Sequence, residues 1–162
     1  MDTRRSSRLR ISLLLLLCGL TFAGCPPPGR ADEVTDWNVL AIDVLALAGH
    51  NNIVMTRGLA MAHLATHDAL NAIDRRYEPF AIRVHAPRGA SQDAAAAAAA
   101  HDVLVHYFPA NTAALDADLA NSLAAIPDGQ SRTDGVGVGH AVATQWLALR
   151  TGDGLEAPLT YT

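Results

Sequence analysis

The sequence of 162 residues contains no lysine. Its 12 basic residues are all arginines, and with 16 acidic residues the formal net charge is -4. This balance argues against a nucleic-acid-binding protein, which needs a basic surface to neutralise phosphates. The absence of lysine also excludes any chemistry that requires a side-chain amine from this chain.

Cysteine and aromatic residues are scarce as well. The two cysteines, Cys18 and Cys25, both lie near the N-terminus, which excludes a disulfide framework. In contrast, half of the residues are hydrophobic and 31 are alanine. This composition argues against a disordered or collagen-like chain.

The first 31 residues have the order of a secretory signal peptide. Four arginines between residues 4 and 10 precede an apolar run over 11–22, and Gly29-Arg30-Ala31 supplies small residues for cleavage. The apolar run is about a dozen residues long, short of the roughly 20 that span a bilayer. We therefore predict cleavage and no transmembrane span afterwards, with an uncleaved anchor as the alternative.

Two cleavage sites compete. The general signal peptidase would cut before Asp32, whereas the segment 22–25 is similar to a lipobox that would make Cys25 a lipid-modified N-terminus. Cleavage before Asp32 removes five arginines and one acid, which leaves a net charge of about -8. The sequence thus predicts an exported acidic protein, either periplasmic, secreted or anchored to a membrane as a lipoprotein.

Hydrophobic periodicity is helical along nearly all of residues 32–152, which predicts an all-α fold that is one domain or part of a larger one. An extended connection is expected over 75–89, where prolines and a glycine interrupt the pattern. Residues 153–162 are typical of a truncated linker. The five predicted helices cover 36–48, 56–74, 91–108, 111–126 and 131–150.

His63 and His67 are the candidate metal ligands. They are four residues apart on the second predicted helix, so both rings could reach one metal ion. Zinc proteases place a glutamate directly after the first histidine, but Leu64 stands there, and no third ligand is evident. A polar helix edge with hydrogen-bonded histidines is the competing interpretation, and we favour it.

Other patterns do not predict catalysis. The glycines in 135–139 lack the preceding strand and the third glycine of a dinucleotide loop, so close helix packing explains them better. Acidic residues such as Asp116 are expected to be solvated. No nucleophile elbow is present. The sequence therefore provides no candidate catalytic or cofactor-binding residue.

Three stretches together resemble one family. They are VTDWN at 34–38, RGLAMAH at 57–63 followed by DALNAI at 68–73, and RRYEP at 75–79. The chain is similar to the N-terminal helical half of exported bacterial vanadium-dependent haloperoxidase-like proteins, in the phosphatidic acid phosphatase type 2 superfamily. The resemblance implies a partial helical bundle of a larger all-helical fold, vanadate as the cofactor of a complete relative, peroxide-dependent halide oxidation or phosphatase activity, and a homodimer.

This sequence departs from the family at the oxyanion site. The resemblance implies a lysine, two arginines, a Ser-Gly-His segment and a later histidine, and neither a lysine nor Ser-Gly-His occurs here. Ser131-Arg132 followed by His140 has the wrong spacing for the closing segment of the family. We therefore expect an inactive N-terminal scaffold region. The alternatives are a small exported binding or interaction protein and a metal-binding domain that uses the histidine pair.

Overall fold

A computed structural model describes residues 32–47 and 52–154. The predicted signal peptide with Cys25, and most of the predicted linker, lie outside the described residues. Within them the fold is all-α, as predicted, without any strand. The five helices are α1 (Glu33–Leu47), α2 (Asn52–Ile73), α3 (Gln92–Tyr107), α4 (Thr112–Ala124) and α5 (Gln130–Leu149).

The beginnings of α1 and α2 differ from the prediction. The helix α1 begins three residues before the predicted start at 36, and Asp32 caps it, because its carboxylate accepts a hydrogen bond from the backbone N–H of Thr35 at 3.0 Å. The helix α2 begins at Asn52, so Thr56, where the predicted second helix begins, lies inside it. Neither glycine nor proline occurs between Asn52 and Thr56 to prevent the helix from beginning earlier.

The first turns of α3 and α4 differ in how they are capped. Ser91, where the predicted third helix begins, caps α3, with its Oγ accepting from the N–H of Ala94 at 3.2 Å. Asn111, where the predicted fourth helix begins, makes no side-chain cap hydrogen bond. It ends a single 3-10 turn, Pro109–Asn111, that leads directly into α4.

The helix α3 is central and contacts the other four helices. All seven alanines from Ala94 to Ala100 are buried, at most 3% exposed, although they point in every direction around the axis. Alanine is the best helix former and its methyl group lets neighbouring helices approach closely. The alanine run therefore lies in the core of the fold, together with larger side chains such as Leu104, Phe108 and Trp146.

The outer helices bury side chains at helical spacing. Trp37 and Ala41 of α1 are buried, as are Val142 and Trp146 of α5. Leu149, the last residue of α5, is 57% exposed.

Candidate functional site

His63 and His67 do not share a partner. The Nε2 of His63 lies 2.9 Å from the side-chain oxygen of Asn38 on α1. The Nε2 of His67 lies 3.2 Å from the carbonyl oxygen of Glu78 and 3.2 Å from the side-chain nitrogen of Asn71. Within residues 32–47 and 52–154, no three His, Cys, Asp or Glu side chains are grouped to hold a metal ion.

Asp68 forms a buried anchor between α2 and the extended connection. Its side chain is fully buried. Its carboxylate accepts hydrogen bonds from the backbone N–H groups of Phe80 at 2.5 Å, Ala81 at 3.1 Å and Ile82 at 2.8 Å. The indole Nε1 of Trp146 on α5 donates a fourth at 3.0 Å. One carboxylate therefore joins α2, the connection and α5.

Asn71 continues this anchor one turn later. Its side-chain oxygen accepts from the N–H of Tyr77 at 3.0 Å, and its amide donates to the carbonyl of His67 at 2.9 Å. The Asn71 side chain is itself buried. The polar residues at this end of α2 thus bind the protein's own backbone.

A second polar group, the His101 cluster, consists of His101, Asp102, Asp116 and His140. The Nδ1 of His101 lies 3.0 Å from Asp102, and its Nε2 lies 2.9 Å from Asp116 on α4. The Nδ1 of His140 on α5 lies 2.6 Å from the other oxygen of Asp102. The cluster therefore connects α3, α4 and α5. The sequence predicted that Asp116 would be solvated, but its carboxylate is paired with His101.

The charges of the His101 cluster support one another. The hydrogen bond to Asp102 is the main cause that raises the pKa of His101 above its ordinary value. Burial acts to raise the pKa of Asp102, but hydrogen bonds from His101 and His140 outweigh it, so this pKa lies below its ordinary value. Because both ring nitrogens of His101 face carboxylates, the protonated ring can donate to both, and in that state no ring nitrogen is left for general-base catalysis.

A third polar region is a cavity of about 680 Å³ between α2, α3 and the end of α5, which we call the arginine cavity. Its volume is within the range of small-molecule sites. The lining includes both apolar and charged side chains. The residues that line it are Arg57, His106, Tyr107, Pro109, Leu147, Arg150, Thr151, Gly152, Asp153 and Gly154.

Two guanidinium groups converge on one carboxylate in the arginine cavity. A terminal nitrogen of Arg57 lies 2.5 Å, and the Nε of Arg150 lies 2.8 Å, from the same oxygen of Asp153. The Arg57 guanidinium also lies over the ring of Tyr107, 5.8 Å from its centroid. The hydrogen bond to Asp153 is the main cause that raises the pKa of Arg57. The buried Nε of Arg57 has no hydrogen-bond partner among the described residues.

The glycine segment of α5 serves helix packing, as the sequence predicted. A Cβ at Gly135 would lie 2.4 Å from the carbonyl oxygen of Ser91, and one at Gly139 would lie 2.5 Å from that of Ala95. Gly137 between them has nothing within 4 Å of such a Cβ. The segment therefore fits two close contacts with α3 and is not a phosphate loop.

The residues that resembled the closing segment of the family have separate partners. Ser131 donates to the carbonyl of Gly89 at 2.7 Å. Arg132 donates to the carbonyl of Leu123 at 3.0 Å and so caps the end of α4. His140 belongs to the His101 cluster. These three side chains do not form one anion site.

Sequence reasoning missed both the His101 cluster and the arginine cavity. The adjacent pair His101-Asp102 follows the alanine run, and this position at the end of a buried segment was a usable signal. Arg57 and Asp153 are 96 residues apart, so spacing alone gave no indication that they meet.

Comparisons with known proteins add nothing to the family resemblance, which rests on the sequence motifs alone. The chain matches no protein-family model, no curated protein and no solved structure. No helix within the described residues is long and apolar enough to cross a membrane.

Proposed function

We propose that this chain is the N-terminal helical scaffold of an exported vanadium-dependent haloperoxidase-like protein. The proposal rests on the three stretches of resemblance. The observation that supports it best is the anchor of Asp68, which lies in the DALNAI stretch and accepts four hydrogen bonds from its own protein. A buried carboxylate used in this way stabilises a fold and leaves no oxygen for a substrate.

The scaffold is proposed to be inactive by itself. An oxyanion such as vanadate needs several preorganised cationic and hydrogen-bond donors around it. The lysine that the resemblance implies is missing from the sequence. Ser131, Arg132 and His140 are directed to separate protein partners, which supports the same conclusion.

Two measurements test the scaffold proposal. Translation of the downstream DNA in all three frames should reveal a lysine followed by Arg-Pro, a Ser-Gly-His and a Ser-Arg…His segment. A polypeptide with these motifs, expressed together with this chain, should copurify with it and oxidise bromide with vanadate and peroxide. Downstream DNA without these motifs, or bromide oxidation by this chain alone, would refute the proposal.

Export is proposed on the signal sequence, and its form is open to a direct test. Mass spectrometry of the mature N-terminus should find either Asp32 or an acylated Cys25. A C25S variant should leave the membrane fraction only in the second case. An intact N-terminus at Met1 would show that neither cleavage occurs.

A further inference from the structure

The arginine cavity concentrates positive charge in an acidic protein. Residues 32–154 contain seven arginines and 14 acids, but the cavity contains two arginines and only one acid. An anion is therefore attracted to this place and repelled by most of the remaining surface. Guanidinium groups are the preferred protein donors for carboxylates, because their planar donors match carboxylate geometry.

Asp153 shows that the two arginines can bind a carboxylate group. Its carboxylate oxygen lies within ion-pair distance of both Arg57 and Arg150. Gly152 and Gly154 on either side of it have positive φ angles of 73° and 92°. The carboxylate thus comes from a short turn after α5 and not from a helix, so it is a local occupant of the site.

The cavity next to this carboxylate has room and an apolar wall. Tyr107, Pro109 and Leu147 contribute to its lining. The Arg57 guanidinium over the Tyr107 ring leaves its buried Nε without a partner in the described part of the chain. A ligand with an apolar body and one carboxylate would fit both the wall and the two cations.

We propose that the arginine cavity is a binding site for a small organic carboxylate, which displaces the side chain of Asp153 from Arg57 and Arg150. Asp153 acts as an internal competitor that keeps the two cations paired while the site is empty of ligand. The proposal does not depend on the family resemblance, since none of the residues of this site was carried over from it.

Benzoate is the probe, and calorimetric titration is the measurement. The D153A variant should bind benzoate about tenfold or more tightly than the wild-type protein, because the competing carboxylate is removed. Benzamide has the same body without the charge and should bind to neither. Inorganic phosphate, which has charge but no apolar body, should bind D153A more weakly than benzoate.

Matched double variants locate the binding. R57Q/D153A should bind benzoate about tenfold more weakly than R88Q/D153A, in which an exposed arginine away from the cavity is replaced. R150Q/D153A provides the same comparison if the Arg57 variant does not fold, as judged by circular dichroism. Benzoate should also raise the melting temperature of D153A more than that of the wild-type protein.

Several results would overturn the proposal. They are equal benzoate affinity in wild type and D153A, equal affinity in the two arginine double variants, and equal binding of benzamide. Phosphate binding as tight as benzoate binding would show a site for bare charge and not for an organic carboxylate. Absence of benzoate binding by the wild-type protein would also overturn the proposal, because it would show that Asp153 always occupies the two arginines and that no external carboxylate displaces it.

Discussion

Replacement of Gly139 by alanine tests how closely α5 approaches α3. A Cβ at this position would lie 2.5 Å from the carbonyl oxygen of Ala95, 2.8 Å from the Cβ of Ala98 and 2.9 Å from the amide nitrogen of Ala99. Two of these three atoms belong to the backbone of the central helix. They cannot move aside in the way that the end of a flexible side chain can, so the helices must separate.

Two effects of opposite sign set the magnitude. Overpacking a core typically costs about 1–3 kcal/mol, and close contacts with two backbone atoms and one side-chain atom favour the upper end. Alanine in a helix interior is more favourable than glycine by about 0.5–1 kcal/mol. We expect G139A to be less stable by about 2 kcal/mol. Gly137 is the matched control, since G137A gains the helix term without any contact and should be about 0.5–1 kcal/mol more stable.

Urea denaturation followed by circular dichroism measures both variants. At about 4 °C for each kcal/mol, G139A should also melt about 8 °C lower than the wild-type protein, and G137A a few degrees higher. Equal stability of the two variants would refute the close approach of α5 to α3. It would also remove the packing explanation for the glycine segment.

Two further predictions concern the polar groups. In D68N an amide nitrogen replaces an oxygen that accepts hydrogen bonds from backbone N–H groups. We expect the free energy of unfolding, measured in urea, to fall by about 3 kcal/mol or more. A fall of less than about 1 kcal/mol would contradict the role of Asp68 as an anchor. The raised pKa of His101 means that its stabilisation is complete below about pH 6.5 and is lost as pH rises through its folded-state pKa. The lowered pKa of Asp102 means that its contribution is present above about pH 3.8 and is lost as pH falls through its folded-state pKa. The melting temperature of the wild-type protein should therefore decline both as pH rises above the stable range and as pH falls below it. The H101Q variant should lack the decline at high pH. An equal decline at high pH in H101Q would contradict the assignment of this effect to His101.

The sequence predicted the helices because local signals decide them. Ser91 caps α3 through its own next turn, and Pro109 ends the regular part of that helix. The start of α2 was misplaced because Thr56 has the chemistry of a cap without being one. A threonine inside a longer apolar helix gives the same local signal as a threonine at a helix start. Only the conformation of the residues upstream decides between these two positions.

The sites were less predictable because they depend on distant residues. The glycine spacing in α5 indicated close packing, and the contacts of Gly135 and Gly139 agree. The partners of His63, Asp68 and Arg57 lie on other elements. No periodicity within α2 distinguishes a histidine that bonds Asn38 from one that binds a metal, because both positions are polar and lie on the same helical face.

The buried alanines and glycines bring the helices of this fold close together, so its stability depends on close approach and polar contacts as well as on larger apolar side chains such as Trp37 and Phe108. Each methyl group of the alanine run buries little apolar area, and the burial of one such carbon stabilises the fold by about 0.8 kcal/mol. The single carboxylate of Asp68 has four donors, and a buried donor without its partner costs about 1–3 kcal/mol. Loss of this anchor therefore outweighs loss of any one core methyl group. An enlarged residue in the alanine run, such as A98V, should destabilise the protein more than a polar substitution at exposed Gly137, because Ala98 is fully buried whereas a Cβ at Gly137 has nothing within 4 Å.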